Sequence, residues 1–225
     1  MARPPDPSDT TSHEADASVL SAAWRGIEAD LEAERGPSGR LKRLSTPVRR
    51  ALAIGVGAAV PTLVLVAAPR DDLASLTLER ALVWAAALLP LGALGAMVAT
   101  RSLTDRALEG SRTLALAAAV WLALVVLVLV PLGAGGPVDP EGHGPIPCGA
   151  LAVVVGAITF AIVHAMRRDA IGARVGVAAV AACAAFASAA FMCPIDALSH
   201  VSLGHALPAS LLVLAGLAFE RRLGA

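Results

Sequence analysis

Six long stretches of this chain contain no Asp, Glu, Lys or Arg, and nothing else in the sequence limits its fold as strongly. They are residues 51–69, 81–100, 113–138, 143–166, 175–195 and 197–219. A helix rises 1.5 Å per residue, so about 20 apolar residues cross the roughly 30 Å of hydrocarbon in a bilayer. In a soluble bundle each stretch would need a polar face, and none is visible. The chain is 56% hydrophobic and 16% charged, too apolar for 225 residues to bury in a soluble core. The expected fold is all-α, a polytopic transmembrane bundle of six helices preceded by a short cytoplasmic segment that carries one amphipathic helix. The expected divisions are a disordered tail at 1–12, a partner-binding helix and basic juxtamembrane segment at 13–50, a membrane domain at 51–219 and a tail at 220–225.

The basic residues orient the bundle. Sixteen of the eighteen Lys and Arg fall before the first stretch, in the second and fourth loops, or after the last stretch. Only Arg70 and Arg80 lie on the opposite side. Positive charge collects on the cytoplasmic side, so both termini are expected there, in a bacterial inner membrane. The Pro/Asp/Ser/Thr-rich leader has no apolar core and does not read as a secretory signal peptide.

Composition removes several function classes. The net charge is zero and aromatics make up 3%, with no Tyr, so direct nucleic-acid binding is not expected. There is no phosphate-cradling Gly-rich loop with Lys, no His-Glu-x-x-His and no Gly-x-Ser-x-Gly, so the chain is not expected to be an enzyme. Small-residue pairs such as Gly172 with Gly176 and Gly92 with Ala96 suit close helix packing. Pro61, Pro90 and Pro208 fall inside the stretches and can kink them. A small-molecule or metal-ion transporter is the rival reading and a membrane scaffold subunit the plainer one. Transport is disfavoured by the lack of intramembrane charge and of an inverted repeat.

Two regions carry specific chemistry. In the first, Val19, Leu20, Ala23, Trp24, Ile27 and Leu31 recur at helical spacing, with Arg25, Glu28, Asp30, Glu32 and Glu34 on the rest of the surface. That helix should stop near Gly36-Pro37. Its apolar face must lie on the membrane, pack on the bundle or enter a partner's groove. The acidic polar face argues against the membrane surface, which the basic stretch 40–50 suits better.

The second region is extracytoplasmic. Cys148 opens the fourth stretch, Cys193 closes the fifth, and His200 and His205 follow in the sixth. Pro194 reads as a first helical residue, with Asp196 as a helix-start charge sharing a face with His200. On that reading His205 lies roughly 16 Å into the helix. Cys148 and Cys193 fit either a structural disulfide or, with a nearby His, a sensing or metal site. A metal ion is the one cofactor these residues would take. Cys183 reads as a packing residue in mid-membrane.

Six Ala/Leu-rich spans, a cytoplasmic segment of about 50 residues and outward-facing cysteines resemble the membrane anti-sigma factors of the NrsF and CarR kind. The closing pattern Cys193-Pro194…Asp196…His200…Gly204-His205…Pro208 is similar to the end of such regulators. The resemblance implies a partner, an extracytoplasmic-function sigma factor, held at the lipid bilayer by the N-terminal segment and released on a signal. It would make Val19, Leu20, Trp24, Ile27 and Leu31 the sigma-binding face. It would make Cys148, Cys193, His200 and His205 the signal-sensing group. The inputs it suggests are light or singlet oxygen, and heavy metals acting on outer cysteines. The segment lacks the His-x-x-x-Cys-x-x-Cys site of zinc-binding anti-sigma factors, so that type is excluded.

Overall fold

The computed structural model describes residues 20–21, 24–25, 28, 35–68, 77–101, 110–130, 144–167, 173–195 and 197–223. Among them the fold is all-helical, with six helices long and apolar enough to cross a membrane. These are α1 (Thr46–Ala67), α2 (Leu78–Ala99), α3 (Gly110–Leu129), α4 (Ile146–Ala165), α5 (Ala173–Met192) and α6. The last starts as the turn Leu198–His200, passes through a π-helical segment Val201–Ala206 and continues as Leu207–Leu223. The expected six-helix bundle is thus the observed one.

The outside of the bundle is apolar. Leu63, Val66, Leu78, Leu122 and Leu129 are each at least 65% exposed. Along α3, Leu116, Val120, Leu124 and Leu127 turn inward, yet Leu114, Leu122, Val125 and Leu129 on its other faces are as hydrophobic. A helix apolar on every face, half of it uncovered by protein, belongs in lipid.

The sixfold arrangement is built around α5, which packs against all five other long helices. Seventeen of its twenty residues are buried, and ten are Ala. Small side chains let neighbouring backbones approach, which is how helices associate where lipid removes the hydrophobic drive. The closest approach is at Gly176, where a Cβ would sit 2.5 Å from the Ala99 nitrogen and 2.6 Å from the Gly95 oxygen. The partner at this crossing is therefore Gly95. Gly92, expected to pair with Ala96, faces open space. Gly172 lies outside the described residues. Higher in the same contact Trp84 of α2 stacks on Phe186 of α5 at 5.3 Å, and its Nε1 donates to the Val130 oxygen at 3.0 Å.

The first helix starts earlier than its uncharged stretch. Ser45 is its N-cap and Pro47 lies in its first turn, so Arg49 and Arg50 are helical residues. Arg49 is fully buried. Its Nη1 donates to the Met166 carbonyl at the end of α4 at 3.1 Å, its Nε to the Leu44 carbonyl and its Nη2 to Thr46 Oγ1. A guanidinium there satisfies a helix-end carbonyl and complements the helix dipole. At the same end of α5 the Arg174 N–H donates to Glu220 Oε2 at 3.2 Å, and its guanidinium to the Phe219 carbonyl at 3.3 Å. These bonds tie α6 to α5.

The described residues before Leu44 belong to a unit of their own. Leu20, Trp24 and Glu28 are helical there, the chain bends at Gly36, and a further helix, Pro37–Arg43, follows. The bend falls where the helix was expected to stop. The second helix was hidden by its basic composition, which reads as a surface stretch.

Candidate metal centre

Cys148 stands in the first turn of α4, Cys193 one residue beyond α5, His200 at the end of the opening turn of α6 and His205 in its π segment. All four are buried. One donor atom from each, two thiol sulfurs and two ring nitrogens, lie within 4.8 Å of one another. Cys193 Sγ is 3.2 Å from His200 Nε2. Both cysteines are free thiols.

The sequence expectation for this region needs one correction. Pro194 is not the first helical residue, because the helix begins at Leu198 behind Ala197. Asp196 lies outside the described residues, so the face it was expected to share with His200 is not described. His205, which the family resemblance grouped with His200, does meet it: the two rings lie edge to face at 5.6 Å. In an α-helix residues five apart point about 140° away from each other. In the π segment the ladder lengthens, and the Leu207 N–H donates to the carbonyl of Ser202, five residues back. Residues five apart then stack roughly one turn above each other. A spacing of five between two histidines was the available clue, since it fits no α-helical face.

Glycine completes the assembly. A Cβ on Gly204 would lie 3.0 Å from the Pro145 oxygen and 3.4 Å from Cys148 Cβ, so its absence lets the π segment sit against the start of α4. Gly149 faces the same segment from α4. Behind the site, Phe186 meets the edge of the His205 ring at 6.3 Å and passes the packing on to Trp84.

The electrostatics favour a ligand. The Cys148 thiol, hydrogen-bonded to Cys193, holds the Cys193 pKa well below its ordinary value, and the nearby His205 ring adds to that shift against the effect of burial. A thiolate is the form that binds metal. Both ring nitrogens of His205 are buried without a hydrogen-bond partner. Orphaned buried polar atoms are costly, and an ion would satisfy one of them. Two sulfurs and two nitrogens form a set that zinc and other borderline or soft ions accept. A tetrahedral ion with Zn–S near 2.3 Å and Zn–N near 2.0–2.1 Å spaces its donors about 3.3–3.8 Å apart, a small contraction from the arrangement seen. This buried group can hold a metal ion.

The N-terminal candidates belong to the other unit. Leu20 and Trp24 are helical and exposed, at 70% and 62%. Val19, Ile27 and Leu31 lie outside the described residues. Two features were missed by sequence reading. One is Arg49. The other is an apolar cleft of about 380 Å³ between α1 and α2, floored by α5 at Val180, Cys183 and Phe191. Cys183, expected only to pack, forms part of its wall.

No protein-family model, curated protein or solved structure matches this chain.

Proposed function

We propose that this protein is a metal-responsive membrane anti-sigma factor, multi-pass in the bacterial inner membrane with both termini in the cytoplasm. One observation carries the metal input: four soft or borderline donors from three helices converge in a buried group at one end of the bundle. Light or singlet oxygen, the other input the family resemblance suggests, has no comparable support in the residues. The output rests on the N-terminal unit, whose Leu20 and Trp24 expose apolar area that a partner's groove would cover. The partner is an extracytoplasmic-function sigma factor, kept from RNA polymerase until the ion changes the bundle. No step in this cycle needs catalysis, and none needs contact with DNA.

The test first asks whether a neighbouring gene in the same operon encodes such a sigma factor, then uses the full-length protein in its host with a promoter reporter for that factor and its copurification in detergent. Burying one large apolar side chain is worth about 1.5–3 kcal/mol. The double variant Trp24→Ala, Ile27→Ala is therefore expected to weaken binding by well over tenfold, since 1.4 kcal/mol is a factor of ten. It should accumulate normally while the reporter becomes constitutive. Cys148→Ser and His205→Ala should accumulate and repress but no longer respond to added Zn²⁺ or Cd²⁺. A double variant that represses as well as wild type would remove the sigma-binding role. A full metal response in both site variants would remove the input.

A further inference from the structure

The four donors meet because α6 carries one residue more per turn at this point than an α-helix would. We infer that this segment is a register switch, in which metal holds Val201–Ala206 in the π form and loss of metal lets it relax to α. The inference rests on the metal reading of the Cys/His group and adds to it how occupancy becomes movement.

The two registers are discrete. In the π form the Leu207 N–H reaches back five residues to Ser202, and the His200 and His205 rings touch. In the α form the same amide would reach back four, and the part of α6 before the segment would turn by about 100° against the part after it. The two histidines could not then share an ion. Helical π segments are rare and concentrate at functional sites.

The structure also indicates which part moves. Beyond the segment α6 is locked: a Cβ on Gly216 would lie 2.5 Å from Ala178 Cβ, and Leu212 fills the space over Gly156. The Arg174 bonds to Glu220 and Phe219 fix its far end. Turning this part by 100° would drive large side chains into glycine contacts. Before the segment there is only the three-residue turn Leu198–His200, with Leu198 58% exposed. His205, at the far end of the segment and packed against Phe186, therefore stays, and His200 swings away from Cys193.

One deletion separates this idea from its alternatives. Leu203 lies within the π segment and is 54% exposed, so it holds little of the core. Removing it sets the histidines four apart, where an ordinary α-helix places them on one face. The ΔLeu203 protein is thus expected to keep the four donors together with no π segment and no second register.

The experiment uses full-length protein in lipid nanodiscs, with Co²⁺ as optical probe and Zn²⁺ for distance measurements. Spin labels go on encoded keto residues at Leu198 and Val153, leaving the cysteines free. Wild type should bind Co²⁺ with the absorption of a four-coordinate sulfur/nitrogen site. Its label at 198 should move by up to about 8 Å on chelation, the chord swept by a side chain near 5.5 Å from the helix axis turned by 100°. ΔLeu203 should bind Co²⁺ with the same spectrum and equal or greater affinity, and its label distance should not change on chelation. His200→Ala should lose the four-ligand spectrum. If ΔLeu203 folds but loses that spectrum as His200→Ala does, the register argument is overturned while the metal site stands. An unchanged wild-type distance on chelation overturns it as well, and decides the matter even if ΔLeu203 does not fold. Wild type that takes up no Co²⁺ overturns the metal reading and the switch with it.

Discussion

Replacing Gly176 by Ala adds one methyl group at the closest backbone approach among the described glycines. The new carbon would lie 2.5 Å from the Ala99 nitrogen and 2.6 Å from the Gly95 oxygen, where carbon contacts normally begin near 3.5 Å. Both obstacles are backbone atoms, so no rotamer change relieves them and α2 must move from α5 by about 1 Å. Overpacking of this kind typically costs about 1–3 kcal/mol. Parting the helices also loosens the Trp84–Phe186 stack, worth about 0.5–1.5 kcal/mol beyond its area. Against this, Ala favours a helix interior by up to about 1 kcal/mol over Gly. The net expectation is a destabilisation of about 1–3 kcal/mol. Gly92→Ala makes the control, because nothing lies within 4 Å of its Cβ position and only the propensity gain remains. Unfolding in detergent by SDS titration, followed by tryptophan fluorescence, measures both variants on the full-length protein. Equal stability of Gly176→Ala and Gly92→Ala would refute the close crossing of α2 with α5.

Further outcomes follow from the same structure. Arg49→Ala removes the bonds to the Met166 and Leu44 carbonyls and to Thr46 Oγ1, so it should lower stability by about 1–3 kcal/mol in the same assay. Arg49→Lys should restore only part of that, because an ammonium lacks the guanidinium fork. His205→Ala should abolish four-ligand Co²⁺ absorption, whereas Cys183→Ser, on the wall of the α1–α2 cleft, should leave it intact. Reporter fusions after residue 48, in the second and fourth loops and at Ala225 should report cytoplasm, and fusions near Asp72, Glu141 and Asp196 the opposite side. Termini on different sides would contradict the orientation drawn from the basic residues.

The spans were legible because a bilayer tolerates little else than uncharged helices of about 20 residues. Which helix is surrounded was much harder to read. Every stretch is apolar, so hydropathy does not separate α5 from α3, and only the ten alanines of α5 mark it as the one that others enclose. The ends of α1 were blurred for a related reason. Arg49 looks like a juxtamembrane charge until the Ser45-Thr46-Pro47 start signal places it inside the helix, where it reaches the end of α4. At the Cys/His group, topology alone brought Cys148, Cys193 and His200 to one end of the bundle. His205 joined them only through the family resemblance, because α-helical spacing turns it about 140° from His200. The contact depends on an extra residue in one turn, which periodicity arguments average away.

X-ray absorption at the zinc edge of purified, Zn²⁺-loaded protein tests the central claim most directly, because it reads the donor atoms around the ion without reference to signalling. One zinc per chain is expected, with two sulfurs near 2.3 Å and two nitrogens near 2.0–2.1 Å in its first shell. Cys193→Ser should lose one sulfur, and His205→Ala one imidazole. A first shell of oxygen and nitrogen alone in the wild-type protein, or zinc that washes away on gel filtration, would contradict the assignment of Cys148, Cys193, His200 and His205 as a metal centre.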